Sequence, residues 1–439
     1  MKCIKCQTDN KLKDRTTNQG RCKNCWHPFA FEPTSMEAKR KFTDRFFAKA
    51  IADFSANSTL FFTEKQFLYV FNKKKETKAI SGWTFWFIYI ILWIWLAGIL
   101  WVVWIPFKVT GFVCLSLVYN FMWLVSFYSM TNEAEMKQTA RKECAVNLIV
   151  FGITVFGLGV LVNITFINSF FWFLVTTGLG LLSIYLGQKQ KAKIAAMPAQ
   201  AFIFNQSELQ EWISRWETVN GSITNLLPSP REEISQAQIN PDLGNYSFDR
   251  VVVCDNSSIA QMLIANHFHF EHNCAILSVT GYPQSVFKPV MEMLRRNPEL
   301  KVYAFHNASP KGVGLVHHLQ TSQNWFAEHN ATIYDLGLLP RQILKNPKMF
   351  IRYSQESANE AKNIAEAVRQ SLSVDEIAWL EKGLFVELES FGPKKLMQVL
   401  SQGIAMSREA DIDEESALVS IDVYDSDSDV YLISSETFG

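Results

Sequence analysis

Four cysteines open the chain, Cys3, Cys6, Cys22 and Cys25, spaced C-x2-C-x15-C-x2-C. Each C-x2-C turn sets two thiolates on one side of the backbone, and two such turns complete a tetrahedral site for Zn2+. With all four positions filled by protein no place remains for a catalytic water, so the expected Zn2+ is structural. Its binding folds a segment too small to hold a core alone. A second group lies far downstream. Asp255, Asn256, Gly281, Asn307, Ser309, Lys311 and Gly312 are candidate ligand-binding residues, because they follow directly on three short apolar runs at 251–254, 274–279 and 302–305. Backbone N–H groups at a helix start with Lys311 beside them would suit an anion. No residue is assigned a catalytic role.

Other reactive side chains read as structural. His267, His269 and His272 beside Cys274 form a short His tract, which is only a compositional hint of metal. His317 and His318 are adjacent on a helix and point apart. Cys254 closes an apolar strand, where a thiol is usually core. His27 reads as an ordinary surface residue.

These positions need elements to hold them. Strands at 251–254, 274–279, 302–305 and 332–336 alternate with helices at 257–267, 283–296 and from 312 onward. Such alternation argues for a parallel, Rossmann-like α/β sheet with helices on both faces, and ligands bind beyond the carboxyl ends of its strands. Beyond Pro340 a helix is expected over 356–372. Another is capped by Ser373 with Glu376 and runs to about 390, and a third opens at Pro393 and runs to about 407. From Glu409 onward there are ten Asp or Glu and no Lys or Arg, the composition of a disordered acidic tail.

The stretches VVVCDNSSIAQML, AILSVTGYP and VYAFHNASPKG, within 249–322, resemble the Toprim domain of the topoisomerase VI A-subunit and its meiotic DNA-breaking relatives. In that family a strand ends in an acid, a second leads to GYP and a third to D-x-D-P-x-G. The resemblance implies a Toprim-like fold whose acids hold Mg2+. Here the first acid falls on Asp255, and the two later ones fall on Asn307 and Ser309. Mg2+ favours carboxylate ligands, so one acid with an amide and a hydroxyl makes a poor site, Mg2+ is disfavoured, and the domain reads as catalytically degenerate.

Between the two groups lie four apolar runs, 84–105, 111–130, 145–166 and 170–187, none containing Lys, Arg, Asp or Glu. About 20 apolar residues in a helix cover the ~30 Å hydrocarbon core, so four transmembrane helices in two hairpins are expected. The link around Asn168 is short enough that the last two runs could form a re-entrant pair instead. Lysines 73–75 and 78, Lys137, Arg141, Lys142 and lysines 189, 191 and 193 flank the runs on one side, and Lys108 stands alone on the other. Basic flanks stay cytoplasmic, which places both termini there. Gly152, Gly157, Gly159, Gly178 and Gly180 are expected to let the last two helices approach closely.

The whole chain, 439 residues with 42 basic and 42 acidic side chains, therefore divides into a ribbon (1–33), a helix-plus-hairpin connector (34–78) and a membrane block (84–187). A helix and linker (198–245), the Toprim-like domain (246–340), a helical region (341–408) and the tail (409–439) follow. In the connector, 36–56 reads as a helix and 59–71 as a hairpin turning at Thr63-Glu64-Lys65. Ser207 with Gln210 reads as a capping box. Zero net charge gives no global field for nucleic acid. The absence of a disulfide framework suits a reducing cytoplasmic face, and the overall expectation is a protein of prokaryotic type. The expectation is a membrane-anchored cytoplasmic binding or sensing protein without catalysis. Its candidate partners are the bilayer, a nucleotide, nucleic acid or protein on the cytoplasmic side, and further copies of itself. The rival readings are a metal-dependent Toprim nuclease or phosphotransferase using Asp255, with help from Asp335 or the tail, and a ligand-gated membrane effector or pore.

Overall fold

In the computed structural model the chain divides into one unit made of Met1–Lys75 with Phe202–Gly439 and a second made of Glu76–Ala201. The residues described are 1–37, 40–75, 86–92, 108–133, 136, 138–164, 169–196, 199–230, 248–296, 300–327, 331–345, 349–410, 421–422 and 432–433. The linker over 231–247 and nearly all of the acidic tail lie outside them.

The first unit begins with two cysteine turns separated by α1 (Leu12–Thr17). Arg15 of α1 is buried and grips Glu32 through two hydrogen bonds, 2.8 and 2.9 Å, while donating to the Asn10 carbonyl at 2.9 Å. Next, α2 (Asp44–Phe54) is shorter than the expected 36–56 because Thr43 caps it. The fully buried Asp44 turns back and accepts the Ala30 and Phe31 N–H groups, both at 2.9 Å, which fixes the exit from the ribbon.

The expected hairpin is absent. Phe62–Thr63 forms a short strand, β1, and Glu64–Lys75 forms a helix, α3. Thr63 and Gln66 make a reciprocal cap, Oε1 accepting the Thr63 N–H at 3.0 Å and Oγ1 accepting the Gln66 N–H at 3.1 Å. The polar triplet is thus a helix start and not a turn. Phe67 and Phe71, four apart, then face one way and pack on Phe47.

In the second unit, α4 (Lys108–Asn132) and α6 (Phe170–Ala196) cover the expected second and fourth runs, and α5 (Gln138–Val162) covers the third as far as Val162, with 165–166 outside the described residues. The first run is described only over 86–92, which is helical. Among the described residues two segments, Ala140–Val162 and Phe170–Ala196, are long and apolar enough to cross a membrane, and 28% of each tested stretch is buried. A core helix of a soluble protein is mostly buried; here Val146, Ile153, Leu161, Phe171, Leu174 and Leu181 stand exposed. The α5–α6 contact is close. A Cβ on Gly152 would lie 2.7 Å from the Gly180 carbonyl oxygen, and one on Gly187 2.5 Å from the Ile149 side chain. Ser183 adds a hydrogen bond to the Leu148 carbonyl at 2.7 Å. Gly157 and Gly178, expected in this seam, have nothing within 4 Å of a Cβ and lie off it.

The first unit resumes with α7 (Gln206–Asn220). Its capping box joins Asn205 and Glu208 instead of Ser207 and Gln210, two residues earlier than expected. Trp212 and Trp216 of α7 close an aromatic core with Phe31, Phe42, Phe47, Phe67, Phe71 and Phe204. Leu226–Leu227 (β2) pairs in parallel with β1.

The sheet domain follows: β3 (Arg250–Cys254), α8 (Ser257–Ala265), β4 (Cys274–Ser278), α9 (Gln284–Arg296), β5 (Lys301–Phe305), α10 (Pro310–Val313), α11 (Leu315–Thr321) and β6 (Ile333–Asp335). The order is β4-β3-β5-β6, all parallel, with Val252 opposite both Ile276 and Tyr303. β3 and β4 are buried along their whole length, as a parallel sheet covered on both faces requires. One face packs Val251, Val253, Leu277 and Val302 on Leu315, Leu319 and Trp325.

Beyond the sheet, β7 (Arg352–Tyr353) pairs antiparallel with β8 (Leu384–Phe385). The expected single helix over 356–372 is two, α12 (Gln355–Lys362) and α13 (Glu366–Ser371), and α14 (Val374–Glu381) stops nine residues short of 390. Gly383 explains that stop. Its φ is +76°, a conformation that ends helices, and a Cβ there would lie 2.4 Å from the Ser354 carbonyl oxygen. A 3-10 turn (Leu388–Ser390) and α15 (Pro393–Ala410) complete the described fold, together with two short helices, Phe268–Glu271 before β4 and Pro340–Lys345 after β6, and the pair Ile421–Asp422 and Leu432–Ile433.

Candidate functional site

The four-cysteine centre is built from two copies of one turn. Gln7 N–H donates to the Cys3 carbonyl and Trp26 N–H to the Cys22 carbonyl, both at 3.0 Å, with Gln7 and Trp26 in the left-handed region at φ 56°. Cys3 Sγ lies 3.6 Å from Cys25 Sγ and Cys6 Sγ 3.5 Å from Cys22 Sγ, and all four sulfurs fall within 4.8 Å of one another. Sulfurs ~2.3 Å from a tetrahedral ion stand about 3.8 Å apart, so the cluster is compatible with a structural Zn2+. Within the cluster the thiols diverge: hydrogen bonding with Thr8 brings Cys6 down to about 5, whereas burial pushes Cys3 up to about 12. Asn10, fully buried, ties the two turns together. Its Nδ2 donates to the Thr8 carbonyl at 2.8 Å and to Cys22 Sγ at 3.5 Å, and its Oδ1 accepts the Lys23 N–H at 2.9 Å. His27 is held at 3.0 Å from Asn220 of α7 and is not a ligand.

At the carboxyl end of the sheet, the structure brings Asp255, Asn256 and Asn307 together. Asp255 Oδ2 accepts the Asn307 N–H at 2.8 Å, and burial raises its carboxyl to about 6. Ser309 caps α10 by accepting the Gly312 N–H at 3.1 Å. Gly312 is obligatory there, since a Cβ would sit 2.0 Å from the Asn307 carbonyl oxygen. Lys311 pairs with Glu360 at 2.6 Å, so it is not held over the strand ends for an anion as expected. Gly281, at φ +82°, shapes the turn that brings Thr280 beside Ser257, their hydroxyls 3.0 Å apart. Asp335 is also engaged: it accepts the Gly337 N–H at 2.9 Å and lies 2.9 Å from His306 Nε2. Burial opposes charge on His306, but the Asp335 carboxylate outweighs it and carries the imidazole up to about 9.

The strand ends, where ligands bind in sheets of this kind, are met by the chain's own segment 386–391. Ala308 and Val386 exchange two backbone hydrogen bonds at 3.0 Å, and the Leu388 N–H donates to Asn307 Oδ1 at 2.6 Å. Asn256 Nδ2 donates to Glu389, which is fully buried. Glu387 accepts from Lys65 at 2.7 Å, from Tyr69, and from Arg352 at 3.4 Å. Lys65 lies 3.7 Å from Glu389. Burial, partly offset by Lys65, raises the Glu389 carboxyl to about 7. Among the described residues, the four cysteines are the one group of three or more His, Cys, Asp or Glu whose ligand atoms converge as a metal requires.

His269 is half-buried on the short helix Phe268–Glu271, and His272 bonds Ser401 at 2.8 Å, so the histidines are spread over different surroundings. Cys254 and Cys274 are buried and burial pushes both thiols up, as for inert core cysteines. A scan against protein-family models finds no match to this chain, and a search of curated proteins finds none.

Glu387, Glu389, Lys65 and Tyr69 were not legible as site residues. Lys65 and Glu387 are 322 positions apart, and no local pattern links them.

Proposed function

We propose that the chain is a membrane-anchored binding or sensing protein, in which a structural zinc ribbon and a catalytically degenerate, Toprim-like sheet domain face the cytoplasm. The apolar runs at 84–105 and 111–130 join α5 and α6 as four spans, with basic flanks on the cytoplasmic side. The ribbon and sheet domain then act in holding a partner, not in breaking bonds.

One observation carries the non-catalytic reading. The side chains at the Mg2+ positions of that pattern serve the protein itself: Asp255 Oδ2 accepts the Asn307 N–H, Asn307 Oδ1 the Leu388 N–H and Ser309 Oγ the Gly312 N–H. A metal-dependent phosphoryl or nuclease centre needs carboxylates aimed at a shared ion and an open face for substrate. The test uses the purified full-length chain with single-stranded and duplex DNA or RNA and Mg2+ or Mn2+. Cleavage no greater than that of Asp255→Ala is the expected result. Metal-dependent cleavage that Asp255→Ala abolishes would reverse the assignment. Cysteine accessibility at engineered sites beside Lys108 and Lys189, probed in sealed vesicles, tests the orientation; labelling of both from the same side contradicts it.

A further inference from the structure

Segment 386–391 does more than cover the strand ends. Through Glu387 it holds Lys65 and Tyr69, which lie one turn apart on α3. That helix ends at Lys75, the last residue before the chain passes to the second unit. Asn72, also on α3 and buried, accepts the Ile203 and Phe204 N–H groups at 2.7 and 3.0 Å and donates to the Phe204 carbonyl at 3.3 Å. Phe202, where the chain returns, stacks under the Arg352 guanidinium at 4.5 Å. Both chain crossings are therefore bound to the same cluster.

The charges in that cluster do not balance. From the sheet end comes Asp255, from the covering segment Glu387 and Glu389, from α3 Lys65 with the neutral Tyr69, and from β7 Arg352. The nearby His306 is matched by Asp335. Three carboxylates thus face two cations. Glu389 Oε2 and Asp255 Oδ1 are both buried and without a hydrogen-bond partner. An unpaired buried carboxylate is expensive, and the cheapest remedy is a proton.

We infer that residues 386–391 form a proton-dependent latch, in which one proton on Glu389 or Asp255 lets the segment close on the sheet end, and its loss sets the two buried carboxylates against each other and loosens the segment from the sheet. This extends the sensing role proposed above but does not depend on it, since the latch would operate whatever ligand or partner is bound. Burial raises both carboxyls, Asp255 to about 6 and Glu389 to about 7, so the change falls close to neutral pH.

The test is made on the full-length chain in lipid nanodiscs. Infrared difference spectra between pH 5.5 and 8.5 should show a protonated-carboxyl band that fades as the pH rises and is diminished in Glu389→Gln. Hydrogen exchange over 386–391, where the Val386 and Leu388 N–H groups are bonded to the sheet end, should quicken at least tenfold from pH 6 to 8.5 after correction for intrinsic pH dependence in the wild type and stay slow in Glu389→Gln, whose amide mimics the protonated state. The absence of any such band in the wild type, or exchange that follows pH equally in both proteins, would overturn the latch. The infrared titration needs only the wild type, so it decides the matter even if Glu389→Gln folds poorly.

Discussion

Asn10→Ala tests whether the four-cysteine centre is held as the geometry says. The substitution leaves every cysteine in place and removes three hydrogen bonds at once, to the Thr8 carbonyl, Cys22 Sγ and the Lys23 N–H. The Thr8 and Lys23 groups are only partly buried, so water recovers part of the loss, and the low end of the cost, about 1 kcal/mol for each orphaned group, applies. The weak thiolate bond adds less. The sum, about 2 kcal/mol, corresponds to roughly 30-fold weaker zinc binding, inside the ~10–100-fold range for groups that orient metal ligands. Competition of the purified protein against a chromogenic chelator at pH 7.5 measures it. Wild type should hold about one zinc per chain, Asn10→Ala the same amount with that lower affinity, and Cys22→Ser essentially none. Arg21→Ala serves as the control, because Arg21 is exposed and makes one long bond, 3.4 Å, to the Trp26 carbonyl. Asn10→Ala binding within twofold of wild type would refute the claim that this amide joins the two turns. Wild-type protein without zinc would refute the centre itself.

Stability should depend on pH in two opposed ways. Glu389, raised from 4.5 to about 7, contributes stability that is complete below pH 4.5 and lost as the pH rises through 7, on the order of 3 kcal/mol before relaxation of its neighbours. Glu32, which the Arg15 guanidinium lowers to about 2, contributes stability present above pH 4.5 and lost as the pH falls through 2. Urea midpoints between pH 2 and 8.5 should therefore peak at mildly acidic pH, and Glu389→Gln should flatten the alkaline side only. In the second unit, Gly152→Leu forces a side chain against the Gly180 carbonyl and should cost about 1–3 kcal/mol or separate α5 from α6, whereas Gly157→Leu meets open space. Unfolding temperatures of the two variants in one detergent compare them directly, and equal values would contradict the seam.

The legible parts of the fold were those with a strong local signal. C-x2-C turns, wholly apolar strands and the Ser373–Glu376 cap each announce themselves within a few residues, and the structure has all of them. Thr63-Glu64-Lys65-Gln66 carries a local signal too. Its capping pattern was outweighed by the Phe, Tyr and Val content that favours strands. The stop of α14 at Gly383 was readable on the same grounds. What could not be read was the occupant of the strand ends. Asp255, Asn256 and Asn307 were singled out by their place after the strands, and they do meet. The groups that complete the cluster come from α3 and from the turn after β8, and only the folded chain brings these together.

Asn307→Asp puts the closing of the strand ends to the sharpest test, since it places a carboxylate where the pattern this stretch resembles has one. Two outcomes are physically distinct. If the cluster is a sealed intramolecular joint, the new charge joins Asp255, Glu387 and Glu389 against the unchanged Lys65 and Arg352, so four carboxylates face two cations. The variant should then be less stable than wild type at pH 8, recover much of the loss at pH 5.5 as protons bind, and respond to Mg2+ no more than wild type does. If the strand ends remain a latent metal site, the added carboxylate supplies the ligand that amide could not. Mg2+ at millimolar concentration should then raise the unfolding temperature of Asn307→Asp while leaving wild type unchanged. The first outcome follows from the structure because Leu388 N–H already occupies the Asn307 side chain at 2.6 Å and the Lys65 ammonium already stands 2.7 Å from Glu387 and 3.7 Å from Glu389. An ion entering there would have to displace an ammonium group and a backbone hydrogen bond together, which one additional oxygen ligand does not offset.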